Sequence, residues 1–429
     1  MLTDGALRML VLLNFHLLGF SPIQLAYLFL IYEFMGILTN FFGGWLVNRF
    51  GLIPVLYSGL TIQVLSLLGL VLVPNDIGII VLVIFVMVAQ GFSGMAKDLT
   101  KVSSKSAVKI LTPKSSDQML FRWVAILTGS KNAMKGFGFL LGGFFLAFFG
   151  YRVSITILIV ILIAVFVGII LSSPSVSSNG IKSVKFRSII SSNRRINFLS
   201  MARLFLFGAR DTWFVVGIPI YFLGVFEGAE IFGEQSAFFL VGGYMAIWII
   251  LYGAVQAYAH KIFAGFNDCK LNSGAMVWIV PLPLVPLFLA FTTYIIEPQS
   301  IILTILLIVG LLVFGAIFAV NSSLHSFLIL KFTTLERVSL DVGFYYMANA
   351  AGRLLGTLLS GLSFQVGGLS SCLIVSAIFL LAATFFTWCI PITRKKISYD
   401  LWVWPNFKKL HSLNTSYIVC FIKVFYFKH

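Results

Sequence analysis

The chain has 429 residues, 59% of them hydrophobic and only 10% charged, with a formal net charge of +16. A mean hydropathy of +1.02 excludes a soluble domain, and apolar runs of about 20 residues recur along the whole length. Four scattered cysteines (Cys269, Cys372, Cys389, Cys420) and five dispersed histidines offer no metal spacing and no nucleophile constellation, so neither a metal, a cofactor nor an enzyme activity is expected.

Hydropathy predicts an all-α polytopic membrane protein. Its spans fall near residues 2–20, 22–46, 53–73, 77–96, 123–149, 154–172, 199–225, 236–259, 274–296, 300–329, 342–366 and 370–391. The first span carries Asp4 and Arg8 almost at the chain start. If that pair belongs near the midplane, the first helix is truncated and lacks an inner half of about 10–20 residues. No basic n-region or small-residue cleavage site marks it as a signal peptide.

The second span holds Glu33, either a protonatable coupling group or, as the residues favour, the partner of a buried cation. It ends in Gly43-Gly44-Trp-Leu-Val-Asn48-Arg49-Phe-Gly51. Gly44 permits close helix packing there, and Arg49 is placed to bridge helix ends at the inner face. Beyond the fourth span, Lys97, Lys101, Lys105 and Lys109 recur every four residues. A continued helix turns them into one cationic stripe, set either on anionic headgroups or at a solute path.

Lys131 and Lys135 share a face of the fifth span, about 5–6 Å apart. Like charges that close in a low dielectric need an anion or a carboxylate between them; Asp4, Asp98, Asp211 and Asp341 are the acids at hand besides Glu33. The fifth span reads Lys135-Gly-Phe-Gly138-Phe-Leu-Leu-Gly-Gly143 and the eleventh Arg353-Leu-Leu-Gly356-Thr-Leu-Leu-Ser-Gly361. The spacing is shared: a base, Gly at +3, Leu-Leu at +5 and +6, Gly at +8. These are equivalent members of two six-helix repeats, each with a cation at the same level. Gly138-x-x-x-Gly142 and Gly352-x-x-x-Gly356 read as close-packing surfaces.

A polar break over residues 173–197 separates six spans from six. The expected domains are an N-terminal lobe (1–173), a cytoplasmic linker (174–198), a C-terminal lobe (199–391) and a basic cytoplasmic tail (392–429). The tail's apolar stretch, 417–427, is too short to span a bilayer. The seventh span contributes Arg203 and Arg210, two turns apart on one face, with Asp211 beside the second.

Outside the spans every basic residue except Arg152 falls on alternate segments, the pattern of cytoplasmic loops with both termini inside. Net charge therefore reports topology and contact with membrane lipid, and no nucleic-acid partner is expected. Inside the spans lie Arg8, Lys131, Lys135, Arg203, Arg210 and Arg353. A charge at bilayer depth costs at least ~2.5–3.5 kcal/mol, so such residues face a bundle interior and mark a path. Setting aside Asp4–Arg8 and Arg210–Asp211 pairs leaves Lys131, Lys135, Arg203 and Arg353 to bind an anionic solute.

The segment containing Gly44, Asn48, Arg49 and Gly51 resembles the inner-loop signature of the major facilitator superfamily, with Asn48 for the usual Asp and Leu52-Ile53 for a basic pair. More closely, five segments resemble the organoarsenical efflux permeases (ArsJ type) of bacterial arsenic-resistance operons. These are Leu2-Thr-Asp-Gly-Ala-Leu-Arg-Met-Leu-Val11, Tyr32-Glu-Phe-Met-Gly-Ile-Leu-Thr-Asn40, Ser93-Gly-Met-Ala-Lys-Asp-Leu-Thr-Lys101, Val124-Ala-Ile-Leu-Thr-Gly-Ser-Lys-Asn-Ala133 and Ala202-Arg-Leu-Phe-Leu-Phe-Gly-Ala-Arg-Asp211. The resemblance implies a twelve-helix fold and export of 1-arseno-3-phosphoglycerate from the cell. It also implies functional partnership with the glyceraldehyde-3-phosphate dehydrogenase that makes this compound, and arsenate resistance as the outcome. The residues alone leave open a different organic-anion carrier or a sugar-phosphate/phosphate exchanger.

Overall fold

The computed structural model describes residues 1–20, 24, 27–73, 78–112, 117–172, 191–227, 234–263, 268–298 and 300–391. All regular structure among them is helical: α1 Leu2–Leu17, α2 Leu30–Phe50, α3 Leu52–Leu72, α4 Ile79–Leu111, α5 Asp117–Ser172, α6 Arg194–Phe214, α7 Gly217–Glu227, α8 Glu234–Ile262, α9 Asp268–Ile279, α10 Leu284–Ile295, α11 Ile301–Phe332 and α12 Val338–Trp388. Among the described residues, nine stretches are long and apolar enough to cross a membrane. The described helices make twelve passes once their breaks are read.

The breaks have local causes. Two long helices each hold two passes: α5 turns at Gly150 (φ 70°) and α12 at Gly367–Gly368 (φ 61° at Gly368), a left-handed conformation that glycine adopts without a Cβ clash. Conversely, α6 and α7 form one pass. Pro219 has no N–H to donate to the Val215 carbonyl, and at this break the Val216 N–H donates to Ser360 Oγ at 3.2 Å in place of a helical acceptor. Pro281 and Pro283 interrupt α9 and α10 in the same way, with tight bonds from Leu282 N to Ile279 O and from Leu284 N to Pro281 O, both 3.2 Å. Gly51, at φ 94°, ends α2 and starts α3.

Several helices overrun the spans expected from hydropathy. Helix α4 continues to Leu111 rather than stopping near residue 96, and α6 begins at Arg194, capped by the Asn193 side chain on Arg195 N at 3.0 Å. Apolarity ends at the membrane surface, but backbone hydrogen bonding does not. Most of the expected linker and the whole 392–429 tail lie outside the described residues.

Glycines set the closest contacts. Gly138 and Gly142 lie against the backbone of α1, and Gly352 and Gly356 against the backbone of α6; a Cβ on any of them would run into a carbonyl oxygen of that helix. The repeated motif therefore does the same job twice, docking the fifth pass on the first and the eleventh on the seventh. Contacts between halves are equally close. Gly129 of α5 and Gly253 of α8 face each other, and Gly44 of α2 abuts Ser339 and Leu340 of α12.

Three buried apolar clusters fill the bundle. One belongs to the first six passes, with Leu10, Leu67, Leu158 and Leu162. A second belongs almost wholly to the last six, joined by Met9 and Phe139. The third mixes both halves, and its members lie at the end bearing the basic segments. Phe121 of α5 stacks there on Phe327 of α11 and on Phe263 (centroids 4.6 and 5.7 Å apart). The halves are thus sealed at the basic end. Gly352→Val, which drives a branched side chain into the Leu204 backbone, should cost at least about 1–3 kcal/mol. In a thermal-unfolding series of the detergent-purified protein its midpoint should fall well below wild type, while Gly361→Ala, with open space around it, should match wild type.

Candidate functional site

Between the halves an ionic chain alternates in sign. Arg8 of α1 reaches Glu33 of α2 (2.9 Å), and Glu33 also contacts Arg353 of α12. The Arg353 Nε lies 3.1 Å from one oxygen of Asp211 on α6, whose other oxygen accepts from Arg210 Nε at 2.7 Å. Three guanidiniums and two carboxylates thereby tie α1 and α2 to α6 and α12. Both carboxylates are almost fully buried, at 2% and 1% exposure. In such a setting each charge depends on its partner, because removing one leaves the other buried and uncompensated.

A second set lies on α4. Asp98 bonds Lys101 at 2.5 Å and lies 4.0 Å from Lys97, which also contacts the Tyr32 hydroxyl. Tyr32 in turn donates to Asp4 at 2.6 Å. Two expected pairings are corrected here. Arg8 pairs with Glu33 and not with Asp4, because helix α2 brings the longer carboxylate to the guanidinium and leaves Asp4 to a phenol. Arg353, expected to be left over, is doubly paired. Asp341 is not a partner of the buried lysines either, since it accepts from Thr333 Oγ1 at 2.6 Å and sits 3.6 Å from Arg337 at the start of its own helix.

Among the described residues, three of the six expected cations have no carboxylate within 4.0 Å: Lys131, Lys135 and Arg203. Arg203, 3% exposed, donates only to neutral acceptors, Asn349 Oδ1 (3.0 Å), Ser322 O (3.1 Å) and Ser322 Oγ (2.9 Å), and stacks on Phe207 with its Cζ 3.8 Å from the ring centre. Ser322 belongs to a neutral network across α5, α8 and α11. In it Asn132 donates to Gln256 at 2.5 Å, and Gln256 donates to Tyr252 at 2.7 Å. Lys135 lies 5.5 Å from the Phe139 ring centre, and Lys131 lies 6.0 Å from that of Tyr346.

These groups border two adjoining hollows between the helices. Asn132, Lys135, Arg210, Tyr252 and Arg353 face both. Lys135 and Arg353, the equivalent bases of the two repeats, therefore meet on one cavity. Eight cations, counting Lys97 and Lys101, stand at or beside it against the four carboxylates Asp4, Glu33, Asp98 and Asp211. A pair of opposite charges at 4 Å is worth about 4 kcal/mol at an effective dielectric of 20. The unmatched cations leave a large unsatisfied attraction for a mobile anion.

The sequence places Lys97 and Lys101 beyond the fourth span, on a stripe facing either headgroups or a solute path, and the structure carries them on α4. The signal that placed them in the site was their four-residue period: the stripe turns inward, with Lys101 4.2 Å from the Tyr346 ring centre. Of the signature residues, Gly51 makes the helix turn and Gly44 the close contact with α12. Of these residues it is Asn48 that supplies a side-chain hydrogen bond across the halves, its amide donating to Glu336 O at 3.4 Å. Arg49 is exposed and lies over Trp45 and Phe50 (5.1 and 5.6 Å from the ring centres), with no ion pair among the described residues. Among the described residues no group of His, Cys, Asp and Glu gathers to hold a metal.

The sequence matches the Major Facilitator Superfamily over residues 2–329. No curated protein matches it. Among solved structures, the chain is similar to a bacterial homologue of the iron transporter ferroportin in an outward-facing state (14% identity, 90% of this chain and 96% of that one, TM-score 0.66). It is similar also to the human organic anion transporter MFSD10 (15%, 90% and 97%, TM-score 0.64) and to the E. coli fucose:proton symporter FucP (12%, 91% and 98%, TM-score 0.60). At these identities the likeness is one of fold. Removing one carboxylate from the ionic chain should be costly: Glu33→Gln should destabilise the purified protein by about 3–5 kcal/mol. The Arg8→Met/Glu33→Gln double variant should lose less than the two single losses combined in a denaturation cycle.

Proposed function

We propose that this chain, which belongs to the major facilitator superfamily and is a multi-pass secondary transporter rather than an enzyme, exports a small organic polyanion, 1-arseno-3-phosphoglycerate, and so gives arsenate resistance. The observation that carries the reading is the surplus of cations: Lys131, Lys135 and Arg203 face the cavity with no carboxylate partner among the described residues. A solute of charge about −3 supplies what the protein omits. Arginine forks and lysine ammoniums suit phosphate and arsenate oxygens alike. Arg8, Arg210 and Arg353 complete the solute-binding set, with Asp4, Glu33, Asp98 and Asp211 keeping the resting site from self-repulsion. The five segments matching the arsenical permeases contain most of these groups, which supports the finer assignment.

In this proposal the protein sits in the cell membrane with both termini in the cytoplasm, and the sealed basic end is the cytoplasmic gate. The solute comes from a glyceraldehyde-3-phosphate dehydrogenase acting on arsenate. Each charge crossing 100 mV is worth ~2.3 kcal/mol, so a solute of charge −3 gains roughly 7 kcal/mol on leaving an inside-negative cell. Export then needs no proton, in keeping with Glu33 being committed to two guanidiniums. A second reading, exchange of a sugar phosphate for inorganic phosphate, is favoured by the same oxyanion chemistry; trans-stimulation by phosphate would select it.

In an arsenate-sensitive host, co-expression with the dehydrogenase should raise arsenate tolerance and lower cell arsenic. Lys131→Ala and Arg203→Ala should each abolish the gain while reaching the membrane at wild-type levels. Tolerance independent of the dehydrogenase, or unaffected by both substitutions, would overturn the assignment. In proteoliposomes the export rate should follow membrane potential and ignore a pH gradient.

A further inference from the structure

One buried charge has no place in the ionic chain. Lys105 of α4 is 2% exposed, and its Nζ has no hydrogen-bond partner. No carboxylate lies within ion-pair distance of it among the described residues. Its nearest aromatic is Tyr346 of α12, whose ring centre lies 5.4 Å from the ammonium. Lys101 and Lys131 collect on the same ring at 4.2 and 6.0 Å. Three ammoniums from two helices thus surround one tyrosine, and Tyr346, Lys101 and Lys131 all border the cavity. A ring face offsets only part of the cost of burying an ammonium. An aliphatic residue at 105 would close the basic end more tightly, since Tyr346 beside it belongs to the apolar seal.

We propose that Lys101, Lys105 and Lys131 around Tyr346 form a subsite for one tetrahedral, doubly charged oxyanion, a phosphomonoester head or its arsenate analogue, with Lys105 as a direct ligand. The inference rests on the reading of the chain as a polyanion exporter and adds which end of the cavity takes the doubly charged head. Charge balance supports it. Asp98, 2.5 Å from Lys101 and shared with Lys97, is the one carboxylate within ion-pair distance of the trio among the described residues, so the three lysines, protonated around a bound monoester dianion, can balance its charge. Position supports it too. Lys105 lies one helical turn nearer the basic end than Lys101, within the layer where the halves close, so it meets a solute arriving from that side once the layer parts. A lipid headgroup cannot serve as the ligand of a side chain so completely covered.

The full chain, purified in lipid-free detergent, tests this with inorganic phosphate, 3-phosphoglycerate and glycerate as probes. Wild type should bind 3-phosphoglycerate at least about tenfold more tightly than glycerate, the worth of one charge-assisted contact. Lys105→Met and Lys131→Met should each shrink that preference to about twofold or less. Ligand-free Lys105→Met should unfold at a higher temperature than wild type and lose the rise that phosphate induces. A lysine with a structural role would instead lower the ligand-free midpoint, and that result overturns the proposal. So does an undiminished preference in Lys105→Met, or no preference in wild type. Phosphate binding that depends on Lys105 in a chain giving no arsenate tolerance would keep the subsite and sink the arsenical reading. Tolerance undiminished in Lys105→Met would keep the exporter and sink the subsite.

Discussion

Everything in this molecule turns on the cost of holding cations in a low-dielectric bundle. A membrane protein that needed charges only for packing would match each base with an acid, because the unmatched charge is the expensive one. This chain matches some and leaves others. Arg8, Arg210 and Arg353 are bound to Glu33 and Asp211. Lys131, Lys135 and Arg203 are left with rings, amides and hydroxyls as neighbours. A site so arranged holds together when empty and still attracts an anion.

The matched charges do a second job. The ionic chain runs from α1 and α2 in the first half to α6 and α12 in the second, so it fastens the halves at the level of the cavity. Under the proposed function, an entering anion would compete with Glu33 and Asp211 for the guanidiniums that make this tie. Occupancy and the relative position of the halves would then be linked through the same five side chains, a physical route from solute binding to alternating access. At the basic end the tie is replaced by contact of a different kind: the Phe121–Phe327 stack and the glycine contacts of α2 with α12. Apolar layers and glycine contacts of this type pack or part as units, which suits a gate.

The repeated motif shows how one device is used twice. In both halves the base-Gly-Gly segment docks its helix against the first helix of its own lobe and delivers the base, Lys135 or Arg353, to the shared cavity. The halves then diverge. Arg353 meets two carboxylates from different lobes, whereas Lys135 meets none, so symmetry in sequence becomes asymmetry in charge. That asymmetry gives the cavity distinct ends for a solute with distinct ends.

By itself the sequence determined the all-helical membrane class, the passes, the repeat, and the identity of most cavity cations. Each of these follows from composition, local spacing, or the prohibitive cost of a charge facing lipid. Glu33 was legible as a cation's partner for the same reason. The tertiary structure alone decided which partner it serves, that Arg353 is paired while Lys131 is not, that Asp341 belongs to its own helix start, and that Lys97, Lys101 and Lys105 turn into the bundle and not toward headgroups. Those outcomes depend on which helix faces come within 3 Å of each other across the two halves. A four-residue period gives the face of a helix but not what it faces, and a buried charge announces its cost in one dimension while finding its counter-charge only in three.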